Sequence, residues 1–238
     1  MDMKLMEEVM PNARITDISC LPIFSGISPA DCTLLFECLG IRIRRFKKDD
    51  HIVLHNELEG NAGIVIEGSV NIYKEDIWGN RALISYLKEG GLFGENLPLE
   101  KTDKDTETLS LSFVCTSPSL VLFLPVKRIL HPCNQSCPFH HRLAQNLFNM
   151  VAQRNRNLMD KIEIISKGSV RDKILCYLSM EAQHQRSSSI EIPLTRSELA
   201  EYLCVNRSAL SRELSALRDE GLIDFKKEHF EIHVSREF

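Results

Sequence analysis

Two short helices joined by a tight connection are predicted near the C-terminal end of this chain, in residues 195–222. The apolar residues in each segment recur at the i, i+3, i+4 spacing of one buried helix face. The two sets are Leu199, Tyr202 and Leu203, then Leu210, Leu214 and Leu217. A pair of amphipathic helices this close together can pack only against each other and a small shared core.

The start and end signals of both helices are also present. Thr195 is a suitable N-cap, and Glu198 three residues later completes a capping box. A turn is predicted at residues 204–206, where Asn206 is a second plausible N-cap. Gly221 is suited to the C′ position that ends the second helix.

The outward face of the second helix is rich in Ser and Arg, including Ser215. Small Ser residues let a helix enter a groove, and Arg can bind guanine O6/N7 or a phosphate with two hydrogen bonds. The pattern therefore predicts a recognition helix in the DNA major groove. The base-reading candidates are Arg207, Ser208, Ser211 and Arg212.

A β-hairpin is predicted after this helix pair. Residues 222–225 and 230–234 alternate like strands around a basic turn that contains Lys226 and Lys227. Such a wing would place both lysines near DNA phosphates. A solvated helix pair of an ordinary α-helical protein is the alternative, but the caps, Arg/Ser face and basic wing in this order favour DNA binding.

Charge limits how this module can bind DNA. The chain has 238 residues, enough for one large or two small domains, and a formal net charge of −4. The module itself contains acidic residues, so binding has to depend on a few well-placed Arg and Lys side chains. These acidic residues are Glu198, Glu201, Glu213, Asp219 and Glu220.

Composition and motifs also exclude several classes of protein. No signal peptide and no membrane-spanning run is recognisable, and the eight cysteines form no secreted-type framework. We therefore expect a cytoplasmic protein that does not bind membranes. No nucleophile elbow, metalloprotease helix or P-loop pattern is present, so we do not expect an enzyme.

The N-terminal half of the chain reads as helices followed by a β domain. Residues 1–40 are predicted to be helical, with a helix that starts at Ser28-Pro29 and contains Leu34, Leu35 and Leu39. Short alternating runs then predict a β barrel or jelly roll, with turns at Gly68 and Gly79-Asn80. The runs are residues 41–44, 51–54, 63–66, 69–73, 82–87, 111–115 and 120–124.

A long helix is predicted over residues 138–166, followed by another over residues 169–184. The apolar residues of the long helix fall near heptad spacing, which predicts a coiled coil between two copies of the chain. Packing of this helix on its own β domain is the alternative, and the two are compatible. The predicted apolar residues are Leu143, Leu147, Met150, Leu158, Ile162 and Ile165.

The chain resembles the Crp/Fnr family of bacterial transcription regulators. The anchors of the resemblance are residues 66–70, the Gly90–Glu95 segment and the 195–222 module. The resemblance implies an α+β fold with a cyclic-nucleotide-binding-like β jelly-roll sensor domain, a long dimerisation helix and a winged helix-turn-helix. The expected boundaries are 1–137, 138–167 and 168–238.

The resemblance also implies an effector-controlled homodimer that reads a palindromic operator, and that contacts RNA polymerase if it is an activator. Ser208 stands where the best-known members carry Glu, so the operator sequence does not follow from the resemblance. A cyclic-nucleotide-binding signalling module without DNA binding is the alternative function. The implied phosphate contacts, besides the two wing lysines, are Thr195, Arg196, Ser197 and Asn206.

The effector is not expected to be cyclic AMP. Glu95 matches the residue that holds the ribose in cyclic-AMP members, but residues 96–108 contain no Arg to pair with the phosphate. The positions of the phosphate-binding pair fall on Ser110 and Leu111. The full implied pocket is Gly68, Phe93, Gly94, Glu95, Ser110, Leu111, Leu158 and Met159.

Cysteines offer a redox alternative. Cys20, Cys32, Cys38 and Cys115 include no Cys-x-x-Cys pair, so small buried thiols are favoured over an iron–sulfur cluster. We do not expect haem at His51 or His55 either. Cys133 and Cys137, followed by His140 and His141, are the closest cysteine pair and are candidates for a redox disulfide or a metal.

Overall fold

The computed structural model describes residues 18–52, 60–76, 78–79, 81–94, 111–130 and 138–233. The chain divides into two compact units, Met1–Gly79 with Ile84–Asn155, and Asn80–Leu83 with Arg156–Phe238. The first carries a β domain and the second a helix-turn-helix, so the predicted α+β class is confirmed. No helix among these described segments is both long and apolar enough to cross a bilayer.

Seven short strands within the described part of the N-terminal half form two sheets. One has the order β1-β7-β2-β5 and the other β4-β3-β6. Six of the seven predicted runs coincide with strands that pair in the sheets, whereas the run at residues 51–54 lies partly outside the described residues. Strand β5 was missed because two residues show no alternation. The strands are β1 Arg42–Phe46, β2 Asn61–Glu67, β3 Val70–Glu75, β4 Arg81–Leu87, β5 Leu92–Phe93, β6 Leu111–Cys115 and β7 Ser119–Pro125.

Strand β7 separates two hydrophobic cores. Leu120, Leu122 and Leu124 face a core that the N-terminal helices complete, whereas Val121 and Phe123 face a core inside the β domain. Period-two alternation of an entirely apolar strand produces this arrangement, because successive side chains point to opposite faces. The run at residues 120–124 is therefore buried on both sides.

Helices cover one side of this β domain. After a 3-10 helix at Pro22–Phe24 come α1 at Pro29–Leu39, α2 at Val126–Leu130 and α3 at Pro138–Ser166. The Ser28 hydroxyl accepts a hydrogen bond from the Asp31 backbone N–H at 3.2 Å, which caps α1 as predicted. Leu35 and Leu39 occupy the buried face of α1, whereas Leu34 is 60% exposed.

The first half of α3 packs on its own domain. Leu143 and Leu147 are buried in the helical core, and the Asn146 amide donates to the carbonyls of Ile23 at 2.8 Å and Ser25 at 2.9 Å. Leu143 and Leu147 thus follow the alternative, in which the helix packs on its own β domain. Heptad spacing locates an apolar face but does not identify what covers it.

The C-terminal unit is a three-stranded sheet with helices. Its sheet has the order β8-β10-β9, and β9 and β10 form the predicted wing. Ser189 starts β8 directly after the loop that follows α4. The elements are α4 Val170–Gln185, β8 Ser189–Glu191, α5 Arg196–Tyr202, α6 Arg207–Asp219, β9 Ile223–Lys226 and β10 His229–Ile232.

Candidate DNA-binding site

A complete capping box starts α5. The Thr195 hydroxyl oxygen accepts from the Glu198 backbone N–H at 3.3 Å, and the Thr195 backbone N–H donates to the Glu198 carboxylate at 2.8 Å. This confirms the predicted box and fixes the N-terminus of α5. The hydroxyl still has its own proton to donate, so the predicted phosphate contact of Thr195 is compatible with the cap.

Helix α6 is oriented by one buried stripe, formed by Leu210, Leu214 and Leu217. Each of these side chains is at most 1% exposed. Because the stripe covers one side of the helix, the opposite side must face solvent. The turn before α6 places Cys204 at a φ of 52°, and Gly221 at a φ of 74° follows its C-terminal end.

The four base-reading candidates are all exposed on this helix: Arg207, Ser208, Ser211 and Arg212. No side chain among the described residues forms a hydrogen bond or ion pair with Arg207, Ser208 or Arg212. Ser215, predicted on the same face, is half-buried and its hydroxyl donates to the Ser211 carbonyl at 3.1 Å. The exposed donors are thus concentrated in the first two turns of α6.

The remaining predicted phosphate contacts on these helices differ in exposure. Asn206 holds the N-cap position of α6, but its side chain makes no capping hydrogen bond and is exposed. Ser197 is half-buried in the first turn of α5. Both lie at helix N-termini, where backbone N–H groups and the helix dipole favour an anion.

Several acidic residues of the module have partners within the fold. Glu198 belongs to the capping box, and Arg171 at the start of α4 pairs with both Glu213 and Glu220. The distance from Arg171 Nη1 is 3.3 Å to Glu213 Oε1 and 2.9 Å to Glu220 Oε1. The hydrogen bond from Arg171 holds the pKa of Glu220 below its usual range. These carboxylates therefore oppose DNA less than their number suggests.

The wing ends in a basic turn. Lys226 and Lys227 are both exposed, and Lys227 adopts a φ of 56°. Arg196 donates a hydrogen bond from Nη2 to the Lys227 carbonyl at 3.0 Å, so its guanidinium lies on the wing. The predicted phosphate contact of Arg196 has to be made, if at all, from this position.

Lys161 in the second half of α3 is a buried charge that the sequence did not reveal. It is 6% exposed, lies 3.6 Å from the centre of the Tyr202 ring and donates to the Tyr202 carbonyl. Burial lowers its pKa to about 8, and nearby Lys173 acts in the same direction, whereas Cys204 opposes it. The position of Lys161 within an apolar stretch of the helix was the available signal.

The outer side of α3 carries an apolar face that no described residue covers. At 100° per residue its members span about 120° of the helix surface. Phe148 is 73% exposed, Met159 59% and Ile162 54%. Two of the residues predicted on the apolar face, Ile162 and Ile165, are exposed on this side. The other exposed members are Phe148, Val151 and Met159.

Comparisons with known proteins agree with this architecture. A family model described as a cyclic nucleotide-binding domain matches residues 43–136, and one described as a Crp-like helix-turn-helix domain matches residues 173–236. The chain belongs to the Crp/Fnr family of transcription regulators.

Two curated relatives and one solved structure illustrate the range of this Crp/Fnr family. The cyclic AMP receptor protein of Thermus thermophilus is 23% identical over 210 residues, covering 85% of this chain and 88% of the relative. The cAMP-activated global regulator Vfr of Pseudomonas aeruginosa is 22% identical, covering 77% and 85%. The c-di-GMP responsive regulator CLP of Xanthomonas campestris has a TM-score of 0.65 at 16% identity, covering 86% and 99%.

The family anchors in the β domain of this Crp/Fnr regulator have structural duties. Gly68 has a φ of 89°, and an added Cβ would lie 2.4 Å from the Pro118 carbonyl oxygen. Phe93 is fully buried against Phe113, with ring centres 5.2 Å apart. These two predicted pocket residues therefore form a tight turn and a core.

The other predicted pocket residues lie on several different elements. Gly94 has a φ of 78° directly after β5, and Leu111 is half-buried at the start of β6. Leu158 and Met159 lie on α3 within the C-terminal unit, half-buried and exposed respectively. Glu95 and Ser110 lie outside the described residues.

The cysteines divide into buried and exposed groups. Cys32 and Cys115 are buried, which raises the pKa of Cys32 and raises that of Cys115 to about 11, as expected of inert core thiols. Cys20 and Cys38 are exposed, contrary to the expectation of burial. Within the described ranges no group of three or more His, Cys, Asp or Glu could hold a metal. Cys133, Cys137 and His55 lie outside those ranges.

Proposed function

We propose that this transcription regulator acts as a homodimer that reads a palindromic operator with two copies of α6. The observation that carries the proposal is the exposed face of α6, where Arg207, Ser208 and Arg212 have no described side-chain partner. Guanidinium and hydroxyl groups that the fold does not use are available for base edges. The two-fold axis would place the half-sites about one DNA turn apart.

Phosphate contacts would orient this helix. The exposed lysines of the wing tip, Lys226 and Lys227, can reach the backbone on one side. Thr195, Ser197 and Asn206 present hydroxyl, amide and backbone donors at two helix N-termini. These contacts carry no sequence information, so they account for register and salt dependence rather than for operator choice.

The partner that covers the apolar face of α3 would be the same face of a second copy. Exposed apolar side chains on one continuous helix are costly in a monomer, and a helix can meet its own copy along such a face in a coiled coil. Phe148, Met159 and Ile162 are the most exposed members. Dimerisation would also supply the second α6 that a palindromic operator requires.

Sedimentation equilibrium tests this dimer. We expect the wild-type chain to be a dimer at micromolar concentration and Ile162→Glu to be a monomer, because the substitution buries an unpaired charge. The dissociation constant should rise at least ~100-fold. Asn149→Glu adds the same charge at an exposed position on the opposite side of α3 and should leave the dimer intact. A wild-type monomer, or a dimeric Ile162→Glu, would rule out this interface.

DNA binding is tested by titrating the full chain into random-sequence duplex DNA at several salt concentrations. Phosphate contacts by the two wing lysines and the helix N-termini should give an affinity that falls linearly on a log–log plot against salt. Absence of measurable binding even at low salt would refute the proposed function. Because the chain is acidic overall, such binding would have to come from the placed basic groups.

The effector is proposed to differ from cyclic AMP. Two relatives have cyclic AMP in their names, but residues 96–108 of this chain lack the Arg that a buried cyclic phosphate needs. A structural neighbour of the same fold is described as c-di-GMP responsive, so the fold itself does not require cyclic AMP. Calorimetry with cyclic AMP should show no tight binding; tight binding would overturn this part of the proposal.

A redox or metal signal at Cys133 and Cys137 remains the second candidate for control. DNA binding by the Cys133→Ser/Cys137→Ser variant should then lose its response to oxidant and to chelator, whereas identical responses in both proteins would dismiss the idea. We further propose a cytoplasmic, non-enzymatic protein that contacts RNA polymerase where it activates transcription.

A further inference from the structure

Arg196 at the start of α5 lies against the wing rather than in open solvent. Its guanidinium carbon is 4.7 Å from the centre of the Phe230 ring and 4.9 Å from that of Phe225. Its Nη2 donates to the Lys227 carbonyl at 3.0 Å. Desolvation by these neighbours lowers the pKa of Arg196, although a guanidinium stays charged. One side chain thus joins the N-terminus of α5 to the tip of the wing.

The two rings under Arg196 form one platform. Phe225 and Phe230 are directly opposite each other in the β9–β10 pair, with ring centres 5.6 Å apart. A planar guanidinium is attracted to the faces of aromatic rings, which a shorter or neutral side chain cannot reproduce. The position of Arg196 is therefore specific to its chemistry and is not a chance surface contact.

The turn of the wing needs an external hold. Lys227 adopts a φ of 56°, a conformation that residues other than glycine rarely take without compensation. Two successive carbonyls of this turn are bound from the segment that leads into α5. Arg196 donates to Lys227, and the Ile192 backbone N–H donates to Glu228 at 2.8 Å. Of these two hydrogen bonds to the turn, the one from Arg196 is made by a side chain.

We propose that Arg196 is a positioning residue that holds Lys226 and Lys227 against the DNA backbone. This role differs from the independent phosphate contact that the family resemblance implies for Arg196. The inference rests on the proposed DNA binding, because it assigns the wing lysines to phosphates. It predicts that loss of Arg196 removes the contribution of both lysines while the recognition helix is unaffected.

A double-mutant cycle on random-sequence duplex DNA tests the proposal, since such DNA reports phosphate contacts alone. Each phosphate contact contributes about 0.9 to the slope of log affinity against log salt. Because a dimer has two wings, Arg196→Ala should lower the slope by about 2 per protomer, or about 4 for the dimer, and the affinity roughly 100-fold, as should Lys226→Ala/Lys227→Ala. Adding Arg196→Ala to the lysine double variant should then change affinity less than about twofold.

Other results would overturn the inference. An independent phosphate contact would lower the slope by about 1 per protomer for Arg196→Ala and by about 3 per protomer for the triple variant. An unchanged slope for Arg196→Ala would show that the contact of Arg196 with the wing does not position the two lysines on DNA. If the wild-type chain binds no duplex, the proposed function fails; if it binds and the losses are additive, only this inference fails.

A second variant guards against loss of the fold. Phe225→Leu removes one ring of the platform and alters no residue that is predicted to touch DNA, so it should lower the slope towards that of Arg196→Ala. A wild-type slope in Phe225→Leu would contradict the positioning role of Arg196. Arg186→Gln removes one exposed charge elsewhere in the unit and should keep the wild-type slope. Thermal unfolding confirms that each variant is folded.

Discussion

In the N-terminal unit Gly63, Gly68 and Phe93 are tightly packed, whereas in the C-terminal unit the side chains of Arg207 and Arg212 are exposed to solvent. An added Cβ at Gly63 would be 2.3 Å from the Phe93 ring, and Phe93 is fully buried. The two arginines have no described side-chain partner. Gly68, Phe93 and the two arginines all belong to the resemblance or the predicted site, but the first two maintain packing whereas the arginines are exposed.

This contrast separates residues that are required by packing from residues that are available to a ligand. An exposed side chain whose donors have no partner in its own fold is available to a ligand, because binding breaks no structural contact. A glycine with a ring against it, or a buried phenylalanine, is required by packing whether or not a ligand binds. Variants should therefore separate function from stability in opposite ways in the two units.

The largest effect is expected for Arg212→Ala. Each lost base contact costs about 1–3 kcal/mol, and a dimer loses two, so affinity for a selected duplex should fall about 100-fold or more. The thermal midpoint should stay close to that of the wild type. Fluorescence anisotropy measures the loss, with Arg186→Gln as the charge-matched control. Unchanged affinity would remove α6 as the reading element.

A pH series on Lys161→Met sharpens the comparison, because Lys161 is a charge that the C-terminal unit does bury. Its pKa is about 8 in the folded chain against 10.5 for the ordinary side chain. Between these values the unfolded chain binds a proton that the folded chain has released, so stability rises with pH. Relative to Lys161→Met, the wild type should gain up to about 3 kcal/mol by pH 10.5 in urea unfolding.

The same series contains its own control, because the titrating groups that do not interact with Lys161 contribute equally in the two proteins. A difference in unfolding free energy that stays constant from neutral to alkaline pH would show that Lys161 titrates normally. Its ring contact with Tyr202 and its hydrogen bond to the Tyr202 carbonyl would then outweigh burial.

Gly63→Ala tests the N-terminal side of the comparison. The added methyl group meets the Phe93 ring, so overpacking should cost about 2 kcal/mol of unfolding free energy. The double variant Gly63→Ala/Phe93→Leu should be less destabilised than the sum of the two single variants, since the smaller side chain makes room. Strict additivity in denaturant unfolding would contradict the proposed contact.

The smallest effect is expected for Thr195→Ala, which removes the hydroxyl of the capping box. The cost should be about 1 kcal/mol of unfolding free energy. Thr195→Ser keeps the hydroxyl and should recover most of that loss in the same denaturant titration. Equal stability of Thr195→Ala and the wild type would mean that α5 is fixed by its packing alone.

Local patterns made the DNA-binding module predictable from sequence. The capping box of Thr195 and Glu198 spans three residues, and the buried Leu210 stripe follows from helical spacing, so neither needs tertiary information. The wing was likewise visible as two alternating runs around Lys226 and Lys227. These features were confirmed because sequence neighbours determine them.

Long-range contacts were not predictable in the same way. Arg196 meets Lys227 across 31 positions, and Arg171 meets Glu220 across 49. The exposed sides of α3 could not be assigned either, because Leu143 and Ile162 share a spacing pattern but meet different surroundings. Pattern reveals which face is apolar, whereas the identity of its partner depends on the packed structure.

Selection of bound duplexes from a random-sequence pool tests most directly whether the exposed face of α6 reads DNA in pairs. If two copies of α6 read the operator, we expect enrichment of a palindrome whose half-sites lie about one helical turn apart. The same selection with Arg212→Ala should lose preference at symmetric positions within each half-site. A pool that shows no enrichment, or a single unpaired half-site for the wild type, would contradict the account.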